Sequence, residues 1–307
     1  MMNKVVARSP AKINLALRVG RRQESGYHNL TTVFQAVDLW ETVSAEHSDN
    51  FQLTFTGNFR DGEIPLDDRN LAFVAAKKVA RVSGYSGAVS LVIDKQVPVA
   101  GGMAGGSADA AATLVAVNAL WETDLSREQL LEIAAEIGSD VPFAMQGATQ
   151  IGRGRGQLLE RVESEQFFWV AVPQNFGLST ASVFEAFDRS RIDESSALVQ
   201  SVSPALLKAL SLGDPEMLAR EIINELQEGT FLLDPELREV LSVGKTVGSL
   251  AGVVCGSGPT CLFLAKDPRH QTNLVAAFRD AGFEAIALTS PVAGAHLLNP
   301  ESLSQTS

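Results

Sequence analysis

The chain has 307 residues, of which 45% are hydrophobic and 20% are charged. This composition supports a sizeable core, in one large domain or two ordinary ones, without structural disulfides or metals. The 36 acidic and 25 basic residues give a formal net charge of −11, which repels nucleic acid and anionic membrane surfaces. We therefore expect neither nucleic acid nor a membrane as a partner. A local basic pocket that binds a small anion is still compatible with this net charge.

The cysteine content and the N-terminus indicate a cytoplasmic protein. Only two cysteines occur, Cys255 and Cys261, and the start Met1-Met2-Asn3-Lys4 lacks the apolar segment of a signal peptide. No window approaches the ~18 consecutive apolar residues of a membrane-spanning helix. We expect a reducing compartment and no membrane partner.

The first half of the chain predicts strands, three helices and a glycine-rich loop. Ile13, Leu15 and Leu17 alternate with polar or small residues, as in a half-buried strand, and place Lys12 and Asn14 on its other face. Further strands are predicted at 30–37, 42–46, 51–56 and 89–93. A helix is predicted from an N-cap at residue 70 to a stop near residue 84, and a second helix, rich in alanine, from about residue 108 to 121. A third helix follows a capping box formed by residues 126 and 129.

The second half mixes helices and strands in a different order. After a strand that begins at residue 167, helices are predicted near 180–188, 204–212, 214–227 and 235–243. Strands at 252–255 and 261–265 flank the loop 256–260, and a helix near 269–281 precedes a last strand at 284–289. We predict an α+β fold with two domains, residues 1–162 and 163–307.

A glycine-rich loop between a strand and a helix is the sharpest local signal. Its residues are Pro98, Val99, Ala100, Gly101, Gly102, Met103, Ala104, Gly105, Gly106, Ser107 and Ala108. Glycines before a helix let backbone N–H groups approach a phosphate, and the helix dipole adds attraction. The loop matches neither standard nucleotide fingerprint, so a phosphate cradle and a simple tight turn both stay open on spacing alone.

Lys12 and Asp140 are weak signals when each is taken alone. A single lysine on a strand is usually solvated, and an aspartate between Gly138 and Pro142 is usually a turn or capping residue. Phosphoryl transfer nevertheless needs this set of groups: backbone donors for the nucleotide, a cation near the transferring group and a carboxylate for the hydroxyl proton.

Five motifs taken together resemble the GHMP kinase superfamily. They are Ser9-Pro10-Ala11-Lys12-Ile13-Asn14-Leu15, Gly26-Tyr27-His28, the glycine-rich loop with its continuation Asp109-Ala110-Ala111-Ala112, Gly138-Ser139-Asp140-Val141-Pro142-Phe143 and Gly256-Ser257-Gly258-Pro259-Thr260. They occur in order from about residue 9 to residue 289. The resemblance is strongest to the members that act on a cytidine diphosphate conjugate of methylerythritol, on the route to isoprenoid precursors.

The resemblance implies an N-terminal domain like ribosomal protein S5 domain 2, a ferredoxin-like C-terminal domain and a site in the cleft between them. It implies transfer of the γ-phosphate of ATP to the 2-hydroxyl of that conjugate, with Lys12 and Asp140 as the catalytic pair. The loop 98–108 would hold the ATP phosphates, and Mg²⁺ is the expected metal, with Ser107 as a candidate hydroxyl ligand.

For the substrate, the resemblance implies that Tyr27 stacks on the cytosine and that His28 hydrogen-bonds its edge. Asn14 would contact the reacting end, Phe184 would offer a second stacking face, and Gly258 is a further candidate.

One departure concerns Met103-Ala104, where the superfamily usually has Leu-Gly. We expect Ala104 to avoid the positive φ that glycine would allow.

Two alternative functions stay open at this point. A homoserine or mevalonate kinase would share the glycine-rich loop, but Gly26-Tyr27-His28 argues against them. A non-catalytic ligand sensor on the same fold would not require both Lys12 and Asp140.

Overall fold

The computed structural model describes residues 3–24, 26–59, 64–190 and 201–299, and these form two β-sheets with helices packed around them. The larger sheet has eight strands and the smaller has four. The fold confirms the predicted α+β class. Among the helices that the structure describes, none is long and apolar enough to cross a membrane.

The larger sheet is built on two long antiparallel strands, β1 (Lys4–Arg22) and β2 (His28–Ser48). β2 was predicted as two separate strands, and the structure shows it as one. It changes partners along its length: its first half pairs with β5 (Thr149–Gly154) and its second half with β4 (Ala88–Asp94). β3 (Gln52–Thr56) extends the β4 side and β6 (Leu158–Val162) extends the β5 side. Residues 40–42 stay in the strand because β1 continues to pair with them, and residues 38 and 39 lie at an irregularity of the register between the pair of Ala11 with Val37 and the pair of Pro10 with Trp40.

Four helices cover the first half of the chain. They are α1 (Leu71–Ser83), α2 (Gly105–Leu120), α3 (Arg127–Ile137) and α4 (Val141–Gln146). The predicted caps are present: the Asn70 side chain accepts from the backbone of Ala72, Gly84 is left-handed, and Ser126 forms a capping box with Gln129. The alanine-rich face of α2 is buried against α1 and the sheet, where alanine allows close helix packing.

The smaller sheet is antiparallel, in the order β11 (Ile286–Ser290), β7 (Phe167–Val172), β10 (Cys261–Ala265) and β9 (Ala251–Val254). One face packs against residues of the larger sheet through a shared core that includes Ile13 and Trp169. The other face is covered by α9 (Leu237–Thr246) and α10 (Pro268–Asp280). Two further helices in this half are α5 (Thr180–Ser190) and α6 (Pro204–Leu212).

The helix predicted at 214–227 is wrong. The structure has α7 (Pro215–Ala219), the short strand β8 (Ile223–Asn224) and α8 (Gln227–Leu233) in that region. β8 runs parallel to β1, and the Asn224 amide donates to the carbonyls of Val254 and Gly256 at 2.8 and 2.7 Å. These partners are distant in sequence, so the local helical pattern could not reveal them. β12 (His296–Leu297) also joins β1.

Candidate active site

A cleft of about 800 Å³ runs between the glycine-rich loop, β1, β2, α5 and the loop at 256–257. It brings together fourteen residues that the sequence analysis singled out. They are Lys12, Asn14, Tyr27, His28, Pro98, Ala100, Gly101, Gly102, Ala104, Gly105, Gly106, Ser107, Asp140 and Phe184. Residues separated by as many as 172 positions in sequence, Lys12 and Phe184, therefore border one space.

Four predicted site residues do not border this cleft. Met103 and Ala108 are fully buried and belong to the core beneath the loop. Val99 faces an adjoining cavity of about 220 Å³, and Gly258 lies behind Gly256 and Ser257, which do line the cleft. Gly258 supports the loop instead: its N–H donates to the Cys255 carbonyl at 2.7 Å, and a side chain there would meet Val254.

The Lys12 ammonium joins the polar face of β1 to the glycine-rich loop. Its Nζ donates to Asn14 Oδ1 and to the Gly102 carbonyl, both at 2.7 Å, and the residue is buried. Asn14 is itself held by a 2.8 Å bond from its amide to Thr32 Oγ1. These contacts fix one positive charge at the centre of the cleft.

Asp140 borders the same cleft and lies in the turn before α4. Its carboxylate does not cap that helix, and within the described residues it forms no ion pair with Lys12. The two side chains share the cleft without touching, which leaves the Asp140 carboxylate available to a bound molecule. Asp140 is half-buried, so one side of it faces the cleft.

The backbone of the glycine-rich loop is left-handed at three positions: φ is 50° at Ala100, 83° at Gly102 and 60° at Ala104. The expectation that Ala104 would avoid positive φ is wrong. Two backbone bonds flank this strained residue, from Lys12 N to the Met103 carbonyl at 3.1 Å and from Ala108 N to the Ala104 carbonyl at 3.0 Å. Gly102 is required, because a Cβ there would lie 2.0 Å from the Cys255 carbonyl oxygen.

The start of α2 has the features of a phosphate site. The helix begins at Gly105, and its first N–H groups have no partner within the helix. Gly106 is exposed in the cleft, where an added Cβ would meet nothing closer than Leu71 at 3.9 Å. Free N–H groups, the dipole of a 16-residue helix and open space together fit an anionic group such as the phosphates of ATP.

A buried ionic triad beneath the loop was missed by the sequence analysis. Lys95 Nζ donates to Glu41 Oε1 at 2.6 Å and to Asp109 Oδ2 at 2.7 Å, and all three side chains are almost fully buried. Burial, followed by the charge of Asp109, raises the pKa of Glu41 to about 8. Burial also raises the pKa of Asp109, whose Oδ1 has no partner. The triad connects β2 to both ends of the loop.

The Tyr27 end of the cleft combines aromatic rings and charge. Tyr27 is 56% exposed, and the Arg155 guanidinium lies 5.0 Å from its ring centroid. Phe184 stacks on His28, with centroids 5.0 Å apart, and His28 Nε2 lies 2.8 Å from Asp188 Oδ1. Arg155 and Asp188 were not singled out in the sequence. Arg155 lies between two glycines, and this is the only feature of the local sequence that could have marked it as a candidate site residue.

The described residues include no cluster of three or more histidine, cysteine or carboxylate side chains that could bind a metal ion. Ser107 lies at the half-buried start of α2 and borders the cleft. Both cysteines are buried, as predicted, and burial raises the pKa of each thiol.

Comparison with known proteins assigns the family. Models of the GHMP kinase N-terminal domain and of the GHMP kinase C-terminal region match residues 70–148 and 206–284. A 4-diphosphocytidyl-2-C-methyl-D-erythritol kinase from Leifsonia xyli is 44% identical over 305 residues, covering 97% of this chain and 100% of the relative. The enzyme of that name from Mycobacterium tuberculosis is 45% identical over 298 residues, covering 96% and 93%. This chain belongs to the 4-diphosphocytidyl-2-C-methyl-D-erythritol kinase family of GHMP kinases. It is a small-molecule kinase with ATP as phosphoryl donor.

Solved structures agree with this assignment. A crystal structure of 4-(cytidine 5'-diphospho)-2C-methyl-D-erythritol kinase matches with a TM-score of 0.77 and 30% identity, covering 94% of this chain and 100% of that one. A homoserine kinase from Cytophaga hutchinsonii matches with a TM-score of 0.76 but only 18% identity, covering 97% and 98%. The likeness to the homoserine kinase shows the shared GHMP kinase fold alone. The relatives named as kinases favour an enzyme over the non-catalytic ligand sensor.

Proposed function

We propose that this kinase transfers the γ-phosphoryl group of ATP to the 2-hydroxyl of 4-diphosphocytidyl-2-C-methyl-D-erythritol. The substrate follows from the names of relatives that are 44–45% identical over almost the whole chain. The observation that carries the chemistry is the Lys12 ammonium, bonded to both Asn14 and the glycine-rich loop in a cleft that Asp140 also borders.

In this proposal the acceptor hydroxyl oxygen forms a bond to the γ-phosphorus while the bond from that phosphorus to ADP breaks. Asp140 accepts the hydroxyl proton, because its carboxylate has no other partner among the described residues. Lys12 offsets negative charge on the transferring group. Its fixed contacts with Asn14 and Gly102 mean that little reorganisation is needed.

The start of α2 and the loop 98–108 would hold the ATP phosphates through backbone N–H groups. Mg²⁺ would neutralise phosphate charge there. Since carboxylates are sparse at this end, we propose that it is held mainly by phosphate oxygens, with Ser107 as the candidate protein ligand.

Tyr27 and His28 would bind the cytosine, and Phe184 supports His28 by stacking on it. We also propose residues 1–162 and 163–307 as the two domains, with the cleft between them.

The decisive experiment measures ADP release from ATP and Mg²⁺ with the cytidine conjugate, homoserine or mevalonate as acceptor. We expect turnover only with the cytidine conjugate, and ³¹P NMR should show a new phosphomonoester while its diphosphate stays intact. Turnover with homoserine or mevalonate at a comparable rate would contradict the proposed substrate.

A further inference from the structure

His28 is fixed by two contacts that come from one helix, α5, which also borders the cleft. Its Nε2 lies 2.8 Å from Asp188 Oδ1, and its ring stacks on Phe184 at 5.0 Å with an interplanar angle of 22°. Phe184 and Asp188 are four positions apart in α5, so they share one face of that helix. The His28 side chain is 5% exposed, and its ring therefore has little freedom to turn.

The contact with Asp188 determines which ring nitrogen carries the proton. An ionised carboxylate only accepts hydrogen bonds, so Nε2 is the donor in this pair. In a neutral imidazole, Nδ1 then carries a lone pair and acts as an acceptor. No described residue forms a hydrogen bond with Nδ1, and His28 borders the cleft. The second oxygen of Asp188 lies 3.8 Å from Arg22 Nη1, which leaves Oδ1 to His28.

We propose that Asp188 is a positioning residue that makes the enzyme select cytosine over uracil, by holding His28 in the tautomer whose Nδ1 accepts a hydrogen bond. The inference rests on the proposed function, in which His28 meets the edge of the base. Cytosine offers an amino donor at position 4, whereas uracil has a carbonyl oxygen there. Uracil would bring one lone pair against another, and a buried acceptor left unpaired disfavours binding.

The first test compares kcat/KM for the cytidine and uridine diphosphate conjugates of methylerythritol. Asp188→Asn keeps the size of the side chain, but its amide can donate to Nε2 and so allow the other tautomer. We expect the cytidine-to-uridine ratio of kcat/KM to fall about tenfold or more, with KM for ATP changed less than about threefold. Asp188→Glu, which restores a carboxylate, should recover part of the ratio.

Glu185→Gln provides the matched control. It removes the same charge from the same helix, beside the same cleft, without a contact to His28. We expect the ratio to stay at the wild-type value. An equal fall of the cytidine-to-uridine ratio in both variants would mean that the negative charge of α5, and not the His28 tautomer, determines base selection.

A second test reads the tautomer directly by ¹⁵N NMR of the four histidines, with His28→Ala used for assignment. We expect the Nε2–H form in the wild type at neutral pH and its loss in Asp188→Asn. A doubly protonated ring or the Nδ1–H form in the wild type would overturn the inference. Equal wild-type turnover of both conjugates would overturn only the inference, whereas turnover of neither would overturn the proposed function as well.

Discussion

Asp140 is the side chain on which the proposed chemistry most directly depends. Asp140→Asn keeps the size and polarity of the residue but cannot accept the hydroxyl proton. We expect kcat to fall by about 10²–10⁴-fold, with the dissociation constants of ATP and the cytidine substrate within a few-fold of wild type. Steady-state kinetics and calorimetric titration check this. A variant with near-native kcat would remove Asp140 from the role of base.

Tyr27 is a second residue whose role can be isolated. Its ring is largely exposed, with Arg155 over it, so its removal should leave the fold intact. Stacking of a base on an aromatic ring contributes roughly 1–3 kcal/mol in single-stranded nucleic-acid complexes. We expect Tyr27→Ala to raise KM for the cytidine substrate about tenfold or more, which corresponds to ~1.4 kcal/mol, with KM for ATP little changed.

Tyr27→Phe is the control, because it keeps the stacking ring and should retain a KM near that of wild type. If Tyr27→Ala weakened ATP and the cytidine substrate equally, or neither of them, the assignment of this turn to cytosine recognition would be wrong.

Ala104 shows how a single residue can be held in a conformation that its side chain disfavours. The left-handed region costs a non-glycine residue roughly 1–2 kcal/mol. The hydrogen bonds of Met103 and Ala108 outweigh that cost by fixing the chain on both sides. The alanine side chain is small enough to be tolerated at this position.

At the scale of elements, the buried triad connects β2 to the loop and to α2. Glu41 lies on β2, Lys95 follows β4, and Asp109 lies in α2. Two carboxylates face one ammonium in a buried site, so burial and then the charge of Asp109 raise the pKa of Glu41, and burial raises the pKa of Asp109. The arrangement ties both ends of the phosphate-binding loop to the larger sheet.

This triad makes stability depend on pH. Burial raises the pKa of Glu41 to about 8 in the folded chain from its ordinary value of 4.5, so between these values the folded state holds a proton that the unfolded state has released. The free energy of unfolding therefore falls as pH rises through this range, by up to ~1.4 kcal/mol per pH unit. In Asp109→Asn the charge of Asp109 is lost while the burial of Glu41 stays, so we expect this part of the slope to become smaller but not to disappear.

Urea unfolding at pH 6, 7 and 8 measures the free energy of unfolding of wild type and of Asp109→Asn. In the difference between the two proteins, the contributions of other titrating groups cancel. An unchanged slope in the variant would show that the charge of Asp109 does not contribute to the raised pKa of Glu41.

At the scale of the whole molecule, residues 292–298 return from the smaller sheet to the larger one. Besides the pairing of β12 with β1, four backbone hydrogen bonds secure them: Ala148 N to Val292 O at 2.7 Å, Val292 N to Ala36 O at 3.1 Å, Ala295 N to Ala144 O at 2.9 Å and Leu298 N to Val6 O at 2.8 Å. Ala144 lies in α4, the helix that Asp140 precedes. The segment therefore supports both the sheet and one wall of the cleft.

Truncation tests this role. We compare chains that end at residue 291 and at residue 299, because their difference reports on residues 292–299 alone. At about 1 kcal/mol for each of these four hydrogen bonds, and with the β12 pairing lost as well, we expect the shorter chain to lose at least about 4 kcal/mol of unfolding free energy relative to the longer one. Chemical denaturation checks this, and equal stability of the two chains would contradict it.

The family and the class of reaction could be predicted from the amino-acid sequence, and fourteen of the predicted site residues border one cleft. Alternation placed Lys12 and Asn14 on one face of a strand, and glycines before a helix indicated a phosphate loop, because both signals are local properties of the backbone. The N-caps of α1 and α3 were predictable for the same reason.

Features that depend on contacts between distant segments could not be predicted from the sequence and are seen in the folded chain alone. β8 pairs with β1 in a region where a helix was predicted. Ala104 is left-handed because the loop is held at both ends. Lys95 contacts two carboxylates that lie 54 and 14 positions away in sequence. The contact of His28 with Asp188 spans 160 positions. None of these partners is marked by a local period or spacing, since each arises when separate elements pack together and bury polar groups that must then be paired.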